Sequence, residues 1–491
     1  MTWPAALAAS CLRSALAMLL GVVIARWLVT WHRGTASMFL RRLQIVLLTA
    51  VFLTPNLVVG FGYRAISINL LNHRWLNELL YFGLILFEFV PAAFWLLVSS
   101  PPPSLSAEAW HVAKLATHGD AARRSPLSSW RMRFHFWWRG CGETLVGPAA
   151  LLFVLSFQES ELAALMQVAG WPERLFTDHA KGEPPFTTLK LVVWPVLIQV
   201  PFLIPLVKQL GTATSTPALS VLAEKSLVLR SGRGARIALA VFGAVWIIAS
   251  VAFVIGEPMW HLVDGIRRSG RTIILQPRWS RELRDAVLLA GTCVVLTWGA
   301  AVLLGSVFAR GGARASRLNG GLLASVIPGL MGTLALGLVT AGFFQRFLPR
   351  LAYTPVPLIL AECLWLWPRV ILVRQSIAAR TRVAAHQLAL LARSPDAPQR
   401  AWARAVWWRV AGRPLAGGVL LVFWWSYLEV MLPMILAMPG FEPAPKMMYN
   451  HLHFGALEAL GVKLAMILSV PLIVGGTLMS VMKFLSGRHT R

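Results

Sequence analysis

Acidic residues are scarce in this chain. Only 20 of its 491 residues are Asp or Glu, against 46 Lys and Arg, and charged residues make up 13% while hydrophobic residues make up 57%. Soluble domains carry about 25% charged residues, so the composition argues against a water-soluble fold. The motifs of self-contained enzymes are missing as well. No Gly-x-x-x-x-Gly-Lys-Ser/Thr run is present to cradle a nucleotide phosphate, so any ATP hydrolysis must reside on another chain. Neither a Gly-x-Ser-x-Gly elbow nor a His-Glu-x-x-His pair occurs, and the chain is not read as an enzyme or as a cofactor carrier. There are 4 cysteines, Cys11, Cys141, Cys293 and Cys363, in or beside apolar stretches without Cys-x-x-Cys spacing. That pattern suggests neither a disulfide framework nor a zinc site, and reads as small hydrophobes. The N-terminus lacks the basic region of a signal peptide, and Arg26 stands where a cleavage site would follow the apolar run; the segment is read as a retained first span.

What the chain has is length in apolar runs. A bilayer core about 30 Å thick needs roughly 20 apolar residues per helix, and the stretches 43–63, 237–256, 286–309 and 319–345 supply this without a charge. With the weaker runs, spans are expected near 12–31, 43–63, 76–99, 143–168, 187–207, 237–256, 286–309, 320–345, 353–373, 414–438 and 464–482. The fold class is therefore an all-α polytopic membrane protein with about 11 transmembrane helices. Trp31, Tyr63, Trp75 and Trp171 near span ends are expected to anchor at the interface.

Two connections, 101–142 and 375–413, are long, polar and rich in Arg with few acids. The positive-inside rule places both in the cytoplasm, and an even number of spans between them agrees. The net charge of +26 thus reports orientation and contact with the bilayer rather than a nucleic-acid partner. One segment runs against the rule: Arg267, Arg268, Arg271, Arg278, Arg281 and Arg284 fall on the outer side of this topology and exceed the nearby acids Glu257, Asp264, Glu282 and Asp285.

The sequence also repeats. Trp137-Trp138-Arg139 recurs as Trp407-Trp408-Arg409, an offset of 270 (409 − 139), which without a gap pairs Gly142 with Gly412, Ser156 with Ser426 and Glu159 with Glu429. Upstream, Thr54-Pro55-Asn56-Leu57 matches Ile327-Pro328-Gly329-Leu330, and Leu12-Arg13-Ser14-Ala15 matches Leu283-Arg284-Asp285-Ala286. Since the long loop lies on the same side in both copies, the two tandem repeats are expected to be parallel. The first would occupy 1–210 with five spans, a cytoplasmic linker 211–236, and the second 237–491 with six spans.

These features resemble a known family, the permeases of binding-protein-dependent ABC importers, in the form where two permease units are fused in one chain. In that family each unit has a cytoplasmic loop with a Glu-Ala-Ala, three residues, Gly signature, then a basic-aromatic stretch and a helix opening near Arg-Pro. Here the second copy reads His386-Gln387-Leu388-Ala389-Leu390-Leu391-Ala392, followed later by Arg413-Pro414-Leu415-Ala416-Gly417; the first reads Ala113-Lys114-Leu115-Ala116-Thr117-His118-Gly119. The signature Glu is replaced by Ala113 and His386, and Ala392 stands where Gly119 stands in the first copy. The resemblance implies coupling loops at Ala113, Ala116, Gly119, His386, Ala389 and Ala392 that dock on an ABC ATPase dimer. It also implies a periplasmic solute-binding protein as second partner, an inner-membrane location, and a solute such as iron(III) or thiamine. Independently of the family, these small residues recur at three-residue spacing, on one helical face.

Glu159 and Glu429 fall about a dozen residues into their helices, where an acid costs at least a few kcal/mol and faces a cavity or a partner. They are candidates for the translocation path, with a hydrogen bond between packed helices as the alternative. Glu88 and Glu362 are further candidates, and Pro55 and Pro328 fit helix distortions lining a path or simple kinks. His451-Leu452-His453 is too sparse for a metal site, and no metal is expected. The competing functions are a decayed permease kept as a membrane scaffold, and an ion-coupled secondary transporter using the buried acids.

Overall fold

The computed structural model describes residues 2–70, 72–99, 134–135, 138–181, 185–212, 233–269, 277–310, 325–391, 397–436, 438–454 and 460–487. Among these residues every regular element is helical. Apolar residues cover the outside: Leu12 is 65% exposed, Ile248 67% and Leu303 67%. Large apolar side chains lining the outside of long helices are what a lipid surroundings requires. Among the described residues eight helices are long and apolar enough to cross a membrane, nine if one bent pair counts as a span. The protein is an all-α, multi-pass membrane protein.

The chain forms two compact units. The first comprises Met1–Val59, Tyr63–Trp171 and Leu197–Pro258. It contains α1 (Trp3–Gly34), α2 (Met38–Leu53), most of α3 (Asn56–Leu70), α4 (Arg74–Ser99), α5 (Glu143–Gln158), α6 (Glu161–Leu165) and α9 (Arg233–Val251). The helix at 233–251 thus groups with the first unit, packing on α1 and α2, rather than opening the second. Helix α1 begins with Pro4 in its first turn, where the missing N–H is harmless, and ends with His32 and Arg33 near the exposed carbonyls. Its buried face carries Ala6, Ser10, Ser14, Ala17, Gly21 and Ala25, small residues every three or four positions. That stripe lets α4 and α5 approach closely, the main source of attraction between helices where no hydrophobic effect operates. At Gly21 a Cβ would meet Leu152 Cδ1 at 2.9 Å.

Helices α2 and α3 are one apolar stretch broken at Pro55 and bent by 73°. Proline lacks the N–H that the ladder needs there, and Thr54 caps the end through its N–H to Val51 O at 3.2 Å. Helix α5 follows a π-helical turn at Trp138–Gly142 and stops at Gln158. Two non-helical residues, Glu159 and Ser160, lead into the short α6.

The second unit comprises Gly60–Gly62, Pro172–Val196 and Met259–Arg491. Between the bulk of the two units in sequence run α7 (Trp171–Ala180) and α8 (Pro185–Thr212). The second then holds α10 (Glu257–Ser269), α11 (Pro277–Arg310), α12 (Thr333–Phe347), α13 (Pro355–Leu391), α14 (Ala397–Trp407), α15 (Arg413–Tyr427), α16 (Met431–Leu436), α17 (Ala444–Phe454) and α18 (Leu460–Gly487). Helices α11, α13 and α15 pack mutually, as α1, α4 and α5 do in the first unit. A second π-helical turn, Trp408–Gly412, precedes α15.

The expectation of about 11 spans exceeds this count at two places. The runs at 320–345 and 414–438 are interrupted: α12 follows a 3-10 turn at Pro328–Leu330, α15 stops before Glu429, and each has 15 residues. That is about 22 Å, short of the core thickness. The expected loop at 375–413 is largely helical. Helix α13 runs 37 residues, about 55 Å, so its end extends well past the apolar window Pro355–Ala378, and α14 packs back on it.

The Pro328 break brings Gly329 onto α13. A Cβ at Gly329 would lie 2.1 Å from Leu364 O and 2.6 Å from Pro368 Cδ, backbone and ring atoms that do not yield. Pro368 has no N–H for Leu364 O, so the kinked α13 backbone is exposed where the glycine meets it. Gly329→Ala is expected to cost about 1–3 kcal/mol by overpacking, read as a lower midpoint of thermal unfolding in detergent. An unchanged midpoint would refute this close approach.

Candidate functional site

Each unit contains a buried acid at the point where a helix stops and restarts. In the first, Glu159 is 6% exposed and both its oxygens are engaged. Oε1 accepts from Leu162 N at 2.6 Å, and Oε2 accepts from Ala163 N at 3.0 Å and from Tyr81 Oη at 2.6 Å. The break between α5 and α6 leaves the first N–H groups of α6 without intrahelical partners. The Glu159 carboxylate supplies those partners, as a side-chain cap does. The carbonyl side of the break is satisfied by Trp171, whose indole Nε1 donates to Phe157 O at 2.7 Å. At the far end of α6, Met166 O accepts from Ser67 Oγ at 2.7 Å and Asn77 Nδ2 at 2.8 Å.

Pro55 turns the chain so that Asn56 opens α3 between Glu159 and Glu88. In one orientation its amide Nδ2 donates to Glu159 Oε1 at 3.4 Å; turned over, it donates to both oxygens of Glu88. Glu88 is buried in α4 at 5% exposure. Arg13 approaches from α1, lying 5.0 Å from the Tyr81 ring centroid and pairing with Glu78 at 3.1 Å. A chain of polar groups thus runs from half-exposed Glu78 through Arg13 and Tyr81 to the buried acids.

In the second unit Glu429 is likewise 6% exposed, and its Oε1 accepts from Met431 N at 2.9 Å and Leu432 N at 3.2 Å at the start of α16. Glu362 of α13 is fully buried, and its Oε1 accepts from Ser426 Oγ. Arg369, two turns along α13, acts on Glu429 electrostatically. Its guanidinium lies 3.9 Å from the Trp365 ring centroid and donates Nη1 to Trp365 O at 2.7 Å.

No family model, curated protein or solved structure matches the chain. The candidate site therefore rests on its own geometry.

Glu159, Glu429, Pro55 and Pro328 all fall at breaks in spans, and in the first unit Glu159, Glu88 and the residue after Pro55 come together. Glu161 opens α6, because the helix does not continue through Glu159. Ala113, Ala116, Gly119 and Ala392 lie outside the described residues. His386 and Ala389 belong to the last turns of α13, and their side chains lie outside the described set. Trp75 is 67% exposed, as an interfacial anchor would be, whereas Trp171 and Tyr63 are buried hydrogen-bond donors rather than anchors; Tyr63 Oη reaches Phe253 O at 3.0 Å. Sequence reasoning missed Asn56, Tyr81, Arg13 and Arg369. The intramembrane Arg in an otherwise apolar run was the one available signal.

The basic stretch at 267–284 now has a partial account. Helix α11 begins at Pro277, so Arg278, Arg281 and Arg284 lie in its first turns rather than in a loop. Arg278 pairs with Glu442 at 2.6 Å and with Glu282 at 3.4 Å, and Glu282 meets Lys463 of α18 at 2.5 Å. Burial, and after it the Lys463 ammonium beside it, holds His451 below its ordinary pKa. This ionic cluster joins α11, α17 and α18.

Proposed function

We propose that the chain is the membrane permease of an ABC importer, with two permease units fused as parallel tandem repeats in the inner membrane and a separate ATPase dimer as motor. The observation that carries this is one construction occurring twice at one register. A π-helical turn at Trp138–Gly142 or Trp408–Gly412 leads into a helix, a break at Glu159 or Glu429, and a short buried helix. In both places the acid accepts the backbone N–H groups two to four residues ahead. Both sets are related by the 270-residue offset of the Trp-Trp-Arg motif, and three mutually packed helices surround each. Breaks of this kind place polar backbone and acids inside a membrane only where protein or a water-filled cavity receives them. A solute path is such a place. On this reading the cytoplasmic side carries Gly119 and Ala392, the small residues that the ATPase grooves receive, and a binding protein delivers solute at the opposite side.

The test is purification of the tagged chain from its own membranes in mild detergent. ATP hydrolysis should co-purify, and Gly119→Trp with Ala392→Trp should remove it while the chain still inserts, since a large ring cannot enter a groove shaped for a small side chain. Cysteines introduced at Thr117 and Ser394 should label from the cytoplasmic side. A chain that purifies without ATPase, in wild type and variant alike, would overturn the importer reading in favour of a scaffold.

A further inference from the structure

Two of the cysteines, 70 residues apart in sequence (363 − 293), meet inside the second unit. Cys293 of α11 is fully buried, and Cys363 of α13 is partly exposed. The Cys293 thiol donates across the helix pair to Ile359 O at 3.9 Å, and the Cys363 thiol to Cys293 O at 3.8 Å, so each sulfur reaches over to the other helix. Thr297 Oγ1, which donates to Cys293 O at 2.7 Å, lies next to Cys363. Beside the pair stands Glu362, fully buried, with Oε1 held by Ser426. Packing alone would call for two small apolar side chains at a helix crossing. Two thiols that each reach across to the other's helix, with a buried carboxylate beside them, are a different chemical object.

We propose that Cys293 and Cys363 are a thiol-oxidation site, closing to a disulfide that ties α11 to α13. A disulfide needs Cβ atoms about 3.8 Å apart and Cα atoms about 5.5–6 Å apart; the Cys363 sulfur already lies 3.8 Å from the backbone carbonyl of Cys293, and the proposal requires the two side chains to close the rest. The reaction breaks two S–H bonds and forms one S–S bond, releasing two electrons and two protons. A lipid-soluble quinone accepts both, its two carbonyl oxygens becoming the hydroxyls of the hydroquinone. Cys363, the more accessible sulfur, adds to the quinone; the Cys293 thiolate then attacks that sulfur, the S–S bond forming as the sulfur–quinone bond breaks with its electron pair to the quinone, and the two thiol protons complete the hydroquinone, that of Cys293 by way of the Glu362 carboxylate beside it. Because α13 also carries Glu362 and packs with α15, which ends just before Glu429, the bond fixes the helices around the buried acids. If the importer reading holds, oxidation arrests transport; the disulfide itself does not depend on that reading.

The experiment uses the full-length chain with Cys11→Ser and Cys141→Ser, leaving Cys293 and Cys363. Membranes are treated with tetramethyl-benzoquinone, whose fully substituted ring resists lasting thiol addition, or with diamide, dissolved in SDS, and counted for free thiols by the gel shift of a maleimide polymer. Two adducts before oxidation, none after it and two again after dithiothreitol are expected. Two adducts persisting after oxidation overturn the proposal. So does loss of the single adduct in chains that also carry C293S or C363S, since that would report oxidation of lone thiols. The retained ATPase or uptake activity is followed in parallel. Activity that falls with oxidation and returns with dithiothreitol supports the arrest, and unchanged activity in a fully cross-linked sample overturns it. Absence of activity before any oxidation counts against the importer reading and not against the thiol pair.

Discussion

Glu159→Gln is expected to destabilise the protein by about 3 kcal/mol or more, and Glu429→Gln by clearly less. An amide keeps one acceptor oxygen and replaces the other with an NH2 group. At Glu159 both oxygens accept, from Leu162 N and from Ala163 N with Tyr81 Oη, so the NH2 of Gln faces a donor whichever way it turns. Each buried group left unsatisfied costs about 1–3 kcal/mol. At Glu429 a single oxygen takes both backbone donors, and Gln keeps it; what is lost is the electrostatic interaction with Arg369. Quiet substitution therefore does not mark a structural role here. Thermal unfolding of the two variants in the same detergent checks the order. Equal shifts would mean that the capping geometry of α6 does not decide the difference.

Lys463→Met should cost about 3–5 kcal/mol, the range for breaking a buried ion pair by removing one partner. Lys463 and Glu282 have side chains 4% and 2% exposed and 2.5 Å apart. Arg278 remains 3.4 Å from Glu282 after the substitution, but its side chain is 59% exposed and water competes for it. Replacing both partners, Lys463→Met with Glu282→Leu, should recover most of the loss, because an apolar pair of similar volume needs no compensation. A double variant as unstable as the single one would show that the pair matters for something other than its charges, such as the Lys463 ammonium lying 5.9 Å from the Trp279 ring centroid.

The breaks explain why single-residue reasoning succeeded at some positions and failed at others. Pro55 and Pro328 announced themselves, since a residue without an N–H interrupts a helix wherever it stands. The stops at Gln158 and Tyr427 had no such signal. Glu159 and Glu429 read as mid-span acids because the apolar runs continue past them, and periodicity alone extends a helix through any such run. A helix end inside a bilayer is allowed only if its orphaned N–H and C=O groups find partners. Glu159 supplies the N–H side locally, but the carbonyl partners Trp171 and Asn77, and the Tyr81 hydroxyl that holds Glu159, come from segments more than ten residues away. The same limit applies to the cysteines, whose spacing of 70 residues carried no pairing.

From sequence by itself came the solvent and the scale: scarcity of acids and runs of about 20 uncharged residues leave a hydrocarbon surrounding as the one in which this chain can fold, since both terms are sums over composition and short range. The recurrence of Trp137-Trp138-Arg139 as Trp407-Trp408-Arg409, with Glu159 and Glu429 at the same offset, was also legible there. Tertiary structure decided which helices stop short, that α13 continues to Leu391 where a loop was expected, which donors hold Glu159, and which cation meets Glu282. Those outcomes depend on groups far apart in the chain meeting at distances below about 4 Å, and local pattern carries no term for that.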